Sequence, residues 1–266
     1  MVSPYKRRIR RAEDLARLHA PAAEILEFYL LIARFQEGLL QRLAEVSGKH
    51  RNSVHDPSAR PSAHSRLVLE FPAFLSALEK QRPARLAQVA RELRERGAES
   101  WSDLLDASWS ATDTVPCQPQ EFLARAFLQP YAELLNSRAG LNLKGYTYPL
   151  CPYCNRKPGL ASLRQQGDGA ARWLICSFCV AEWEFRRIVC PACGEENDRN
   201  LPVYSASDFD YVRVECCETC KTYIKTIDLT KNGLAEPVVD EIAAAALDLW
   251  AQEHGYAKLQ PNVVGM

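Results

Sequence analysis

The chain of 266 residues has no apolar stretch long enough to cross a bilayer, which takes about 20 consecutive apolar residues. Its most apolar N-terminal stretch, Ile25 to Phe35, is interrupted by Glu27 and Arg34. No membrane insertion is expected. Charge of neither sign is in excess, because 33 Lys+Arg balance 33 Asp+Glu. The basic surplus that marks a dedicated nucleic-acid binder is therefore absent from the total. No export signal is legible either. Lys6, Arg7, Arg8, Arg10 and Arg11 are followed by Glu13 and Asp14, not by an apolar core. This segment reads as a solvated, basic arm leading into a helix, and the expected compartment is the reducing cytoplasm. A glycine-rich phosphate loop and a serine nucleophile elbow are also lacking. With no complete catalytic constellation, the chain is not expected to be an enzyme. A hydrophobic share of 47% and a charged share of 25% exclude a disordered or collagen-like chain.

Cysteine is what the sequence has in plenty. Nine of the ten cysteines lie between Cys151 and Cys220, and Cys117 stands apart. In a reducing compartment such a density indicates metal binding or redox chemistry, not disulfide staples. The same region differs in charge from what precedes it. Residues 1–145 carry 21 basic and 17 acidic side chains, and residues 146–266 carry 12 and 16.

The first half reads as helical. Pro21 suits a first helical turn, and Ile25, Tyr29, Ile32, Leu39, Leu40, Leu43 and Val46 recur at helical spacing up to Gly48. A polar loop spans Lys49 to Ser65. Further helices are expected over Pro72–Gln81, Pro83–Arg96, Ser100–Ser108 and Pro119–Ala139, with Pro130 expected to kink or break the last. After Tyr146 the pattern shortens to strands: Arg172–Ile175, Glu182–Arg186, Tyr211–Val214 and Thr222–Ile227. Trp183, Tyr211 and Tyr223 read as strand core, and Asp208/Asp210 as a turn. A last helix opens at Pro237 with a stripe of Ile242, Ala246, Leu249 and Trp250, and closes at Gly255. The expected fold class is α+β. A helical domain (1–145) precedes two tandem rubredoxin- or zinc-ribbon-like modules of short antiparallel strands (146–188 and 189–232), and a C-terminal helix and tail follow (233–266).

Four Cys-x-x-Cys pairs carry the chemistry: Cys151/Cys154, Cys176/Cys179, Cys190/Cys193 and Cys217/Cys220. Two intervening residues let one tight turn present both sulfurs to one metal, and two such turns complete a tetrahedral four-thiolate site. Twenty-one residues separate Cys154 from Cys176 and 23 separate Cys193 from Cys217, enough in each case for a hairpin. The halves repeat at offsets of 39 residues for the first knuckle and 41 for the second. Sequential pairing is the simplest reading; an interleaved one stays open, since only ten residues separate Cys179 from Cys190. Iron and zinc both accept four thiolates. Arg186, Arg187, Lys221 and Lys225 are the sequence-near cations that would offset the thiolate charge. Cys151-Pro152-Tyr153-Cys154 also matches a dithiol redox sequence, but Pro158 and Gly159 would break the helix such an enzyme needs at its thiol. A zinc-ribbon nucleic-acid binder is the remaining alternative, opposed by the acidic second half. Cys216 is spare, a small half-buried residue or an accessory thiol. Cys117 reads as packed, and His19, His50, His55, His64 and His254 are not expected to be ligands.

These motifs resemble the formate dehydrogenase accessory protein E family. The likeness rests on Cys151-Pro152-x-Cys154, on Cys176-x-x-Cys179 leading into Glu182-Trp183, and on Cys190-x-x-Cys193. It rests also on Glu215-Cys216-Cys217-x-x-Cys220-x-x-Tyr223-x-Lys225 and on Glu253-His254-Gly255-Tyr256. It covers residues 150–256, while the first half agrees in length and helical character only. The ending, Gln260 to Met266, departs from the Asn-Pro-containing tail of that family. The resemblance implies a cytoplasmic maturation factor that binds the catalytic subunit of formate dehydrogenase and is needed for its assembly. It implies two metal ions per chain, of iron (rubredoxin type) or zinc, as a structural or redox-sensing platform. Their ligands would be Cys151, Cys154, Cys176, Cys179, Cys190, Cys193, Cys217 and Cys220. No nucleic-acid partner is implied.

Overall fold

Proline at a first helical position loses nothing, because the N–H it lacks would have no partner there. The computed structural model opens its first helix, α1 (Pro4–Leu18), at such a residue. It describes residues 3–47, 64–79, 84–111 and 118–266. The polar loop up to residue 63, His50, His55 and Cys117 lie outside the described residues. Helical spacing turns Tyr5, Arg8, Ala12 and Leu15 of α1 inward. Arg8 forks onto Glu133 at 2.9 and 2.8 Å, and Arg11 onto Asp240 at 2.5 and 3.0 Å. The basic N-terminus is therefore not a solvated arm. Buried Arg8 and half-buried Arg11 sit one turn apart and are paired, exposed Arg7 reaches Glu236 at 3.1 Å, and Lys6 and Arg10 stay exposed.

The first half continues with α2 (Ala23–Ser47), α3 (His64–Leu78), α4 (Ala84–Arg96) and α5 (Ala98–Ser110). The helix expected from Pro72 starts earlier, because Leu67 and Phe71 extend the same buried face. Rings from three helices fill the centre, with Phe71 4.9 Å from Phe127 and Phe35 5.1 Å from Phe74. Helix α6 (Pro119–Ala139) runs through Pro130 as one continuous helix. Proline deprives the carbonyl four residues back of its intrahelical partner. That carbonyl, Ala126 O, accepts instead from the buried Gln36 Nε2 at 2.7 Å. A neighbouring helix thus makes good the bond whose loss predicted a break.

The second half forms one sheet. Its strands are β1 (Pro158–Gln166), β2 (Gly169–Cys176), β3 (Glu182–Phe185), β4 (Val203–Ala206), β5 (Phe209–Cys216) and β6 (Thr222–Asp228), with the short β7 (Ala257–Lys258). The order is β3-β2-β1-β6-β5-β4, with β7 beside β6. Each repeat is an antiparallel meander. The meanders meet where β1 runs parallel to β6, with Leu160 opposite Lys225 and Leu163 opposite Asp228. The sequence pattern did not announce β1 or β4. The buried run of β1 has no polar alternation, and β4 is almost wholly exposed.

The expected C-terminal helix is two helices, α7 (Pro237–Ala243) and α8 (Ala245–Glu253). The break at Ala244 is held by Lys225, whose Nζ donates to Glu241 O at 2.5 Å and Ala244 O at 3.3 Å. The break shifts the phase of the buried face. Leu247, Asp248 and Ala251 point inward, and Ala246 and Leu249, expected in the stripe, are exposed. Lys225 Nζ also lies 2.5 Å from Asp248 and 3.0 Å from Glu241, all three buried. The tail closes over this network. Lys258 bonds Glu241, Asn262 Nδ2 donates to Glu241 at 2.8 Å, and Leu259, Gln260 and Val263 are buried. No helix among the described residues is long and apolar enough to cross a membrane.

Candidate metal centres

Each Cys-x-x-Cys pair folds by one local rule. The N–H of the first cysteine donates to the carbonyl five residues on, at 2.8–2.9 Å in all four knuckles: Cys151 to Arg156, Cys176 to Ala181, Cys190 to Glu195 and Cys217 to Thr222. The residue four positions after that cysteine takes positive φ: Asn155 57°, Val180 54°, Gly194 79° and Lys221 55°. This left-handed step, directly after the second cysteine, turns the chain back so that the next carbonyl reaches the first cysteine's N–H. At Gly194 it is free of Cβ strain, and at a β-branched residue such as Val180 it costs about 1–3 kcal/mol. In three knuckles backbone N–H groups also aim at the first sulfur. Tyr153 N lies 3.4 Å from Cys151 Sγ, Phe178 N 3.4 Å from Cys176 Sγ, and Ala192 N 3.4 Å from Cys190 Sγ.

The hairpins β1–β2 and β4–β5 carry one knuckle onto the other. Cys151, Cys154, Cys176 and Cys179 form one cluster, and Cys190, Cys193, Cys217 and Cys220 the second, with all sulfurs of a cluster within 4.8 Å. The grouping is sequential, not interleaved. In the first cluster Cys151 and Cys179 sulfurs are 3.5 Å apart and Cys154 and Cys176 sulfurs 3.4 Å. In the second, Cys190–Cys220 and Cys193–Cys217 are both 3.7 Å. A tetrahedron of sulfurs about 2.3 Å from a zinc ion has edges of about 3.8 Å. The spacings and the N–H donors fit such a group, so each cluster could hold one metal ion.

Protons and charge at these thiols depend on surroundings. Burial opposes ionisation of Cys176, but hydrogen bonds from Cys151, Cys154 and Cys179 and the Phe178 N–H outweigh it and hold this thiol well below the ordinary range. Burial drives Cys179 the other way. Cys220 is partly desolvated, yet its contact with Thr222 Oγ1 at 3.0 Å helps bring it down to about 7. A cation that binds such a set displaces the remaining protons. Cys216 lies outside both clusters. Burial and the nearby Glu218 push its thiol up to about 12, so it stays protonated.

The cations near the first cluster are not Arg186, Arg187, Lys221 and Lys225, the four expected from the sequence. Lys225 is committed to Asp248 and Glu241. Arg125 of α6, half-buried, and Arg156, buried, are the cations that act on Cys154 and Cys176. Arg125 donates to Ser177 Oγ at 2.6 Å, inside the second knuckle. Arg156 caps the end of α5 through Ser108 O at 2.6 Å and Ala111 O at 2.7 Å, and its guanidinium stacks 3.7 Å over Phe178. Arg156 follows a knuckle directly, and that proximity is the signal the sequence reading passed over; Arg125 had none. A Ser102–His64–Asp106 row, with His64 Nε2 2.8 Å from Ser102 Oγ and Nδ1 3.0 Å from Asp106, was also missed. It pins α3 to α5.

A helical domain backed onto a sheet that carries two four-sulfur knuckle sites defines the class of this protein. Comparison with known proteins narrows it. Residues 150–187 match the FdhE central domain and residues 188–264 the FdhE C-terminal domain. An FdhE homolog of Aquifex aeolicus is 36% identical over 145 residues, 54% of this chain and 51% of that protein. The matched segment thus spans about half of that relative. An FdhE homolog of Pseudomonas aeruginosa is 28% identical over 98% of this chain and 89% of its own length. FdhE of Escherichia coli K12 is 26% identical over 97% and 86%. The fold is that of the crystal structure of the FdhE protein from Pseudomonas aeruginosa, with TM-score 0.65 and 24% identity over 98% of this chain and 95% of that one. Residues 150–264 thus match FdhE domains, and the chain is similar to FdhE proteins over nearly its whole length.

Proposed function

We propose that this chain is a cytoplasmic accessory factor that binds the catalytic subunit of formate dehydrogenase and is needed for its assembly into active enzyme. The observation that carries this reading is the coincidence of FdhE-family domains with two intact four-cysteine clusters. Cys151, Cys154, Cys176 and Cys179 ligate one metal ion, and Cys190, Cys193, Cys217 and Cys220 the other. When bound, iron or zinc cross-links two knuckles, and iron adds a one-electron couple. Four protein ligands leave no open position for a substrate, which supports a platform and not a hydrolytic centre. The chain works as a helical domain (1–145), two ribbon modules (146–188 and 189–232) and a C-terminal segment (233–266). Its own residues make the surface rigid: the N–H groups of the knuckles orient the sulfurs, and Arg125 and Arg156 lock the first module to the helices. Anaerobic affinity capture from native cytoplasm tests the reading, with metals counted in the same eluate. A formate dehydrogenase catalytic subunit with two metals per chain is the expected result. Two metals with no such subunit would overturn the partner.

A further inference from the structure

Strand alternation gives the sheet two unlike faces. Lys225 of β6 points into the α7–α8 network. Its neighbour Ile224 lines a cavity of about 430 Å³, none of whose lining residues belongs to an α-helix. That volume lies within the range of ordinary ligand sites, roughly 300–1,000 Å³. The cavity spans the joint of the two modules and contains Arg172 of β2 and Arg213 of β5. Each of these arginines stands four residues before the first cysteine of its module's second knuckle, so they are equivalents in the repeat. Their fates differ. Arg172 is buried, 2.6 Å from Glu215 and 3.0 Å from Val189 O, with its Nε still lacking an acceptor. Arg213 is half-buried; its backbone pairs in the sheet, while its guanidinium makes no hydrogen bond or ion pair with any described residue.

We infer that this cavity is a docking site for an extended segment of a partner protein, whose single carboxylate sits on Arg213 between apolar neighbours. Charge selects the anion. Arg172, Arg187 and Arg213 face Asp198 and Glu215 in the lining, which leaves one positive charge. One surplus positive charge matches a single carboxylate and not a polyanion. A side-chain carboxylate matches both the charge and the forked geometry of a guanidinium. The walls select what surrounds it. Ile188 is 58% exposed and Val203 46% exposed, and both line the cavity. Val203 belongs to β4, which ends the sheet and pairs only with β5. A strand edge beside a pocket is the arrangement by which an extended peptide is read, with backbone bonds for affinity and a pocket for one side chain.

This inference rests on the reading of the chain as a formate dehydrogenase partner, so its test separates the two. Overlapping peptides of the catalytic subunit are titrated against the metal-loaded full chain, followed by fluorescence anisotropy. Peptides with Glu or Asp between apolar residues are expected to bind. Arg213→Gln is expected to weaken them at least tenfold, and Glu→Gln in the peptide should cause the same loss without adding to it. Metal content should stay at that of the wild type. The rim variant Ile188→Ser should weaken the same peptides and guards against misfolding at Arg213. Equal binding by wild type and Arg213→Gln overturns the proposal, as does competition by inorganic phosphate at concentrations that acetate does not match. Intact subunit captured equally by wild type and Arg213→Gln sinks the cavity and leaves the accessory role. Acidic peptides bound through Arg213 with no capture of the intact subunit would do the reverse.

Discussion

In the first ribbon module Cys151, Cys176 and Cys179 are buried behind α5 and α6; in the second, Cys193 is exposed and Cys220 half-buried. The local design is the same in both, down to the bond that spans five residues and the left-handed step. What differs is the neighbourhood. The first knuckle pair is gripped from the helical side by Arg125, by Arg156, and by Trp109 against Phe178. The second faces outward beside an arginine-lined cavity. Equivalent positions away from the sulfurs have diverged in the opposite sense. Lys225, buried in a charge network on β6, corresponds to Glu184, exposed on β3. A duplicated unit can thus keep its metal geometry while one copy becomes part of the core and the other part of the surface.

Breaking a cluster should expose this asymmetry most strongly. Cys176→Ser should abolish the first site and loosen the seam between helices and sheet, costing about 4 kcal/mol or more, a loss of the kind seen when a structural metal goes. Soluble yield and thermal melting would fall together. Cys193→Ser should remove one metal from the second site with helix content and melting little changed. Metal counts and circular dichroism on both variants check the pair; equal damage from the two would end the comparison.

The second module depends on its charge network instead. Lys225→Met leaves Asp248 and Glu241 buried beside Lys258 alone, with an expected loss of about 3–5 kcal/mol in urea unfolding. A smaller effect is read from acid. Burial opposes ionisation of Glu241, but Lys225 and Lys258 overcome it and hold the carboxyl at about 2 against an ordinary 4.5. A depressed carboxyl stabilises the fold above its unfolded value, and that contribution drains away as pH falls from about 4.5 towards 2. The stability gap between wild type and Glu241→Gln should therefore be full at neutral pH and shrink across that window, by at most about 3 kcal/mol. A gap independent of pH would show that Glu241 acts by shape alone. The smallest effect belongs to the exposed pair Arg34–Glu13 at 2.8 Å, where Arg34→Ala should cost no more than about 1 kcal/mol.

Several features were legible without coordinates because their cause is local. Cys-x-x-Cys spacing dictates a tight turn, and the repeat of spacings around Arg172 and Arg213 marks duplicated hairpins. The strands around Trp183, Val212 and Ile224 announced themselves by period, and α4 by its proline and glycine boundaries. The residues that misled did so because their partners are remote in sequence. Pro130 breaks nothing, since Gln36 supplies the missing donor from 94 positions upstream. Arg8 and Arg11 are not solvated, since Glu133 and Asp240 meet them. The C-terminal helix breaks where Lys225 draws off carbonyls.

The amino-acid order by itself determined two clusters of four sulfurs, a helical first half and apolar runs too short for a membrane-crossing helix, because turn geometry, helical period and apolar run length act over a few residues. Only the tertiary structure decided that the two modules share one sheet through β1 and β6, that the first cluster is buried more fully than the second, and that Arg213 faces a cavity without an acceptor among the described residues. Burial and ion pairing depend on which distant surfaces meet, and no spacing along the chain records that.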